Sequence, residues 1–132
     1  MIKKSVTLIG VLALALASCG GGDSDAAGGD GNDAAPIEVG PANAAAGAKV
    51  YDSTCVACHG SGGSGIEGLG KPMPGSTFID GLSDDELASF IKEGRSADHP
   101  DNTTGIDMPA RGGNTNLTEQ DLVDVVAFIR TL

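Results

Sequence analysis

Within five residues, Cys55-Val56-Ala57-Cys58-His59, the chain places two thiols and an imidazole. No other stretch restricts the fold as much. Residues three apart on a helix lie one above the other on the same face. Both thiols can therefore reach adjacent edges of one flat group, while the next residue sets its imidazole beneath the centre of that group. This Cys-x-x-Cys-His spacing is the attachment pattern of c-type haem: the thiols join the two vinyl groups as thioethers, and the imidazole becomes an iron ligand. A chain built this way has to fold around a large apolar plate. Four aromatic residues and no tryptophan among 132 residues make a thin core, which a bound porphyrin would help to fill.

Three rival uses of these cysteines are weaker. A thioredoxin-like redox pair needs a strand before the motif and a βαβ context, and neither is evident. A structural zinc site needs four well-spaced ligands, whereas only Cys55, Cys58 and either His59 or His99 are to hand. A disulfide between Cys55 and Cys58 is chemically permitted in an exported chain. Export itself favours haem, because this haem is attached outside the cytoplasm. Cysteine parity does so too, since the third cysteine, Cys19, has a separate explanation.

That explanation lies at the N-terminus. Lys3 and Lys4 precede an apolar or small run from Val6 to Ala17. The run is too short for the roughly 20 residues a membrane span requires, so residues 1–18 read as a secretory signal peptide. They end in Leu16-Ala17-Ser18-Cys19, which resembles the bacterial lipoprotein processing box. The resemblance implies cleavage before Cys19 and lipidation of its sulfur and amine, which supplies enough acyl chains for stable anchoring. Ordinary signal cleavage nearby is the plainer alternative. From Gly20 to Gly40 the chain is dominated by Gly, Ala and Asp and carries no Lys or Arg. Such a segment buries too little apolar surface to fold. Residues 19–43 are therefore expected to be a lipidated cysteine and a tether, whose Gly20–Gly40 stretch has a reach of about 25 Å.

The folded domain is expected over residues 44–132, with at least three helices. Asn43 caps the first, which runs towards Cys55. The second opens at Ser83-Asp84-Asp85-Glu86, a capping box flanked by Leu82 and Leu87. It carries Leu87, Phe90 and Ile91 at i, i+3, i+4 and stops at Gly94. The third opens at Thr118, with Asp121 three residues on, and lines up Leu122, Val125, Val126 and Ile129. No stretch alternates long enough to be read as a strand. Gly60–Pro74 and Ser96–Asn116 are long loops for so small a domain, and such loops are usually functional or wrapped around something. The expected architecture is all-α.

The sixth ligand decides between an electron carrier and a reactive haem. Met108-Pro109-Ala110 lies in a Gly-rich loop ten residues before Thr118. A thioether is a soft, neutral ligand that favours ferrous iron, and Pro109 fixes the adjoining backbone. Met108 has no apolar periodicity around it that would make it core filler. Met73, also followed by proline, and His99, between Asp98 and Pro100, are the competitors. Net charge excludes other classes. At −10 overall, the chain lacks the cation excess that nucleic-acid binding requires. From residue 44 onward 13 acidic residues face 6 basic ones, which suits protein partners with basic or uncharged docking faces.

Taken together, these features resemble the class I small bacterial cytochromes c. The likeness covers about residues 44–132: Gly47 and Tyr51 on the first helix, Cys-Val-Ala-Cys-His-Gly at 55–60, Leu87-Phe90-Ile91 with Gly94-Arg95, Met-Pro-Ala at 108–110, and Val126-Ala127-Phe128-Ile129. It implies the cytochrome c fold, with the first and last helices crossing at Gly47 and Phe128. It also implies a proline carbonyl that orients the His59 ring; Pro72 is the better match and Pro74 the other. The Ser96–Asp107 segment departs from the family pattern. The expectation is therefore one covalent haem c held by Cys55 and Cys58, with His59 and Met108 as axial ligands. With both axial positions closed there is no room for a substrate, so the chain would be a one-electron carrier and not an enzyme, anchored to a membrane outside the cytoplasm and exchanging electrons with redox proteins. Two alternatives remain: a haem subunit dedicated to one dehydrogenase or reductase, and a gas-binding haem with a labile Met108.

Overall fold

The computed structural model of the chain describes residues 39–132. The expected signal peptide, Cys19 and the tether up to residue 38 lie outside the described residues. Among the described residues five α-helices follow one another: α1 (Ala44–Val50), α2 (Val56–His59), α3 (Thr77–Asp80), α4 (Asp84–Glu93) and α5 (Glu119–Ile129). Among the described residues there is no strand, only isolated bridges between Ile66 and Gly70 and between Arg95 and Met108. No helix among them is long and apolar enough to cross a membrane. The all-α expectation is met.

Local chemistry sets the helix ends. Asn43 Oδ1 accepts from the amides of Ala45 and Ala46, satisfying two of the donors a helix N-terminus leaves free. Ser83 and Glu86 form a reciprocal capping box on α4, and Thr118 and Asp121 form one on α5. Gly94 ends α4 at φ +74°. A Cβ there would also overlap the Met108 carbonyl and crowd Pro109 and Ala110, so the same glycine lets the Met108 loop lie against the helix end.

Two local features were not legible in the sequence. Between α1 and α2 the helix widens into a π-turn over Tyr51–Cys55, with the Val56 amide donating to the Tyr51 carbonyl. Insertions of this kind re-aim the residues that follow, and here those are the haem-motif residues. The single turn of α3 is capped by Ser76, whose hydroxyl accepts from the Ile79 amide; it is too short to show a period.

The core is one cluster: Tyr51, Leu87, Ile91, Leu122, Val125, Val126 and Ile129. Full burial of each aliphatic side chain contributes about 1.5–3 kcal/mol. The α5 stripe read from the sequence is this core's longest side. The α1–α5 crossing differs from the expected Gly47–Phe128 pairing. The nearest atoms to a Cβ built on Gly47 are backbone atoms of Asp124 and Val125, while Phe128 packs on Tyr51 with ring centroids 5.2 Å apart. Gly47 is needed because backbone meets backbone there, and the aromatic partner of Phe128 sits one turn further along. Asp124, buried beside this crossing, accepts from the Asn43 amide at 2.8 Å and from the Gln120 amide group at 2.8 Å. Gly40 also donates to Gln120. Residues 40–43 thus bond to α5 ahead of the first helix.

Candidate functional site

Cys55 closes the π-turn, Cys58 and His59 occupy the end of α2, and all three line one cleft of about 390 Å³. Its apolar wall includes Leu69, Ile79, Leu87, Phe90, Ile91 and Ile129. Met73 and Met108 both reach it, from separate loops. Both cysteines are free thiols, Cys58 exposed and Cys55 half-buried. Burial, and next the neighbouring Cys58, push the Cys55 thiol up to about 11. Among the described residues no strand precedes the motif, so the βαβ context that a thioredoxin-like pair needs is missing. The described residues hold no cluster of three or more His, Cys, Asp or Glu suited to a metal ion.

Residues 60–72 wrap the end of α2. The Gly65 amide donates to the His59 carbonyl at 2.7 Å, and the Ile66 amide to the Gly70 carbonyl at 2.8 Å. Gly70 packs so closely that a Cβ would overlap the Cys58 carbonyl and come within 3.3 Å of His59 Nδ1. This close approach brings a carbonyl 3.1 Å from His59 Nδ1, and it belongs to Lys71 and not to Pro72. Pro72 instead lines the cleft. Its ring disfavours a helical conformation at the preceding residue, Lys71, whose carbonyl faces the imidazole. The Tyr51 hydroxyl donates to the Gly60 carbonyl at 2.6 Å, tying the start of the same loop to the core.

On the other loop, Met108 exchanges two backbone hydrogen bonds with Arg95, at 2.7 and 2.8 Å. The Arg95 guanidinium lies 4.6 Å from the Phe78 ring centroid and 4.7 Å from that of Phe90, a cation–π arrangement at the cleft wall. Among the described residues no carboxylate pairs with it, whereas Arg111 and Arg130 are paired with Glu119 and Asp84. His99 does not line the cleft. Its Nδ1 accepts from the Asp101 amide at 3.1 Å, a turn within its own loop. Arg95, Phe78 and Asn102, all cleft residues, were not singled out from the sequence for this role. Phe78 and Asn102 lie outside any periodic pattern, and Arg95 carried only the signal of following the helix-stop glycine.

The residues present fit a covalent haem: two unpaired thiols one turn apart, an imidazole oriented through its other nitrogen, and an apolar cleft beside them. Residues 42–129 match the protein family described as cytochrome c oxidase, cbb3-type, subunit III. The chain is 32% identical over 87 residues to cytochrome c-555 of Chlorobaculum thiosulfatiphilum, covering 66% of this chain and 93% of that one. It is 31% identical over 87 residues to the cytochrome c subunit of the quinone-dependent alcohol dehydrogenase of Gluconobacter oxydans, covering 64% of this chain but 18% of that subunit. It is 30% identical over 90 residues to the cbb3-type cytochrome c oxidase subunit CcoP of Azospirillum brasilense, covering 67% of this chain and 30% of the subunit. The chain thus spans less than a third of either complex subunit and nearly all of a small cytochrome. With the Cys-x-x-Cys-His cleft, the all-α fold and these likenesses in agreement, the chain belongs to the cytochrome c family: it is a class I c-type cytochrome, an electron-transfer protein that carries covalently bound haem c.

Proposed function

We propose that this cytochrome is a one-electron carrier whose haem is joined to Cys55 and Cys58, with His59 and Met108 as axial ligands. The observation that carries the reading is that His59, both thiols and Met108 line a single cleft. Bound haem supplies an iron that alternates between ferric and ferrous by one electron. The chain supplies the rest. The Lys71 carbonyl opposite His59 Nδ1 keeps the ring proton on that nitrogen, which leaves Nε2 free as the ligand atom. Met108 offers a neutral sulfur that favours the ferrous state. Met73 follows Lys71 by two residues and donates its amide to the Gly63 carbonyl at 2.8 Å, so it belongs to the loop that holds His59; Met108 comes from the independent loop. The Arg95 guanidinium, unpaired with any carboxylate among the described residues, would offer positive charge at the cleft wall to the carboxylates of a bound haem.

Export and anchoring rest on the sequence: a signal peptide over 1–18, lipidation at Cys19, and a tether over 19–43, whose last residues, 40–43, bond to α5, holding the domain over 44–132 outside the cytoplasm. Cys19→Ser should move the protein from the membrane fraction to the soluble one. The acidic surface suits basic or uncharged docking faces on redox proteins. A second reading, a haem subunit dedicated to one complex, is favoured by the names of the dehydrogenase and oxidase relatives. Stable copurification with a membrane-side complex would select it over the free shuttle.

Optical spectroscopy of the holoprotein tests the ligand set. Expected are a weak far-red sulfur-to-iron band in the ferric form and indifference of the ferrous form to carbon monoxide, with Met108→Ala abolishing the band and admitting carbon monoxide. A wild-type protein that lacks the band and binds carbon monoxide at once has an open sixth position, and the carrier reading gives way to gas binding.

A further inference from the structure

The twelve residues from Ser96 to Asp107 leave and re-enter the domain at one point, because Arg95 and Met108 on either side of them exchange both backbone hydrogen bonds. This is an Ω-type loop with its ends together, and it differs from most in having almost no apolar content. Ile106 is its one large hydrophobic residue, and it is exposed. Its shape must therefore come from hydrogen bonds, and one side chain makes most of those that cross it. Asn102 Nδ2 donates to the Ser96 carbonyl at 2.9 Å and to the Ile106 carbonyl at 2.8 Å, joining the outgoing leg to the returning one. Its Oδ1 accepts from the Thr104 amide at 3.0 Å, the Thr104 hydroxyl at 3.1 Å and the Gly105 amide at 3.0 Å. Both amide protons and the carbonyl oxygen are thus fully used. A second tie, from the Ala97 amide to Asp107 Oδ1, joins the same two legs next to Met108.

Asn102, Thr104, Ile106 and Asp107 also line the cleft, so the loop is both a wall of the haem site and the approach to Met108. The returning leg runs Ile106-Asp107-Met108, and Asn102 holds the first of these three by its carbonyl. We propose that Asn102 is a positioning residue for the sixth ligand: by cross-tying the loop it keeps Met108 seated over the cleft and keeps small exogenous ligands out. The proposal rests on the reading of Met108 as an axial ligand. Removing the two donors leaves the Ala97–Asp107 tie to join the legs alone, so the Arg95–Met108 backbone pair at their base opens more often while the α4 and α5 core remains. Loosening is then confined to the loop, and the ligand is released far more often than the domain unfolds.

The test compares wild-type, Asn102→Ala, Asn102→Asp and Met108→Ala holoproteins. The Asp variant is nearly isosteric, keeps the acceptor half of the side chain and turns a carboxylate oxygen towards the Ser96 and Ile106 carbonyls, so it should fold even if the Ala variant does not. In both Asn102 variants the thioether-linked haem and the far-ultraviolet circular dichroism should be retained. The ferrous form should bind carbon monoxide roughly tenfold faster than wild type, as losing two hydrogen bonds would allow, and the far-red band should bleach on heating well before the helices melt. In the wild-type protein, hydrogen exchange should show the Met108 and Gly105 amides opening together. Unchanged carbon monoxide kinetics and an unchanged band in the Asn102 variants, with Met108→Ala losing the band, would overturn this proposal alone and leave the ligand set intact. A Met108→Ala protein that keeps the band would overturn the ligand reading and this proposal with it. A Met108 amide that stays protected while Gly105 exchanges freely would show that the loop opens without the ligand, and would also sink the proposal.

Discussion

Arg111 holds Glu119 from a backbone conformation that side chains seldom adopt. At φ +52° it is the non-glycine residue in the left-handed region among the described residues, yet its guanidinium donates to the Leu117 carbonyl at 2.7 Å and pairs with Glu119 Oε1 at 2.5 Å. Glu119 also takes Lys92 of α4 at 3.0 Å. One carboxylate thus joins the turn after Met108-Pro109 to the start of α5 and the end of α4. Substituting Glu119 by Gln removes the charge at the centre of a three-member network in which Arg111 and Glu119 are partly shielded from solvent and Lys92 is exposed. The expected loss is about 1 kcal/mol, seen as a fall of roughly 4–8 °C in the melting temperature. Arg111→Gly should cost less than Arg111→Ala, because glycine alone relieves the left-handed strain. Calorimetry of the three variants checks the order.

Gly47→Ala should be among the most damaging single-methyl additions in the molecule. The new Cβ would overlap the Asp124 carbonyl, and neither backbone can move without parting α1 from α5. Overpacking of this kind costs about 1–3 kcal/mol. Urea unfolding followed by circular dichroism should show the midpoint falling, with the slope unchanged. A neutral result would mean that the two helices do not cross in contact at this glycine.

Acid should destabilise the fold through three carboxylates. The Ser83 amide, then its hydroxyl, holds Glu86 below the ordinary carboxylate range; the Thr118 amide, then its hydroxyl, does the same for Asp121. Arg111 first and Lys92 second lower Glu119. A group with a depressed folded-state pKa binds its proton more readily when unfolded. Its contribution is complete above the unfolded value, about 4 for these residues, and disappears as the pH falls through the lower folded value. The melting temperature should be flat near neutrality and drop below about pH 4. The double variant Glu86→Gln, Asp121→Asn should start lower and show a shallower acid slope. An unaltered slope would remove the capping boxes from the account.

The His59 environment is open to a backbone test. Gly70→Ala would drive a methyl group into the Cys58 carbonyl and towards His59 Nδ1, so the loop carrying the Lys71 carbonyl could not close on the ring. The fraction of protein recovered with covalent haem, measured as haem absorbance per mole of chain, should fall roughly tenfold. Lys71→Ala, which leaves the carbonyl in place, should recover haem as wild type does. Equal loss in both would show that the lysine side chain, and not its carbonyl, serves the site.

Much of this protein is written in interactions three or four residues long. The Asn43, Ser83 and Thr118 caps, the Gly94 stop, the Leu122–Ile129 stripe and the Cys-x-x-Cys-His motif are legible because cap, period and motif depend on near neighbours in the chain. Caps and helical periods, with no alternating stretch, carried the all-α reading, and the scarcity of aromatics carried the need for a large apolar filler. What tertiary structure alone decided are the places where distant backbones meet. Gly47 faces the Asp124 carbonyl and leaves Phe128 to Tyr51. The Lys71 carbonyl, one residue before the expected proline, takes His59. Asn102, an unremarkable polar residue in the sequence, ties together the legs of the loop that leads to Met108. Side-chain type and spacing determine which helices form and how they end. Which carbonyl reaches an imidazole or an amide across 12 or 4 residues of irregular chain depends on how glycines and prolines let the loops fold back onto the helices, and no local pattern encodes that.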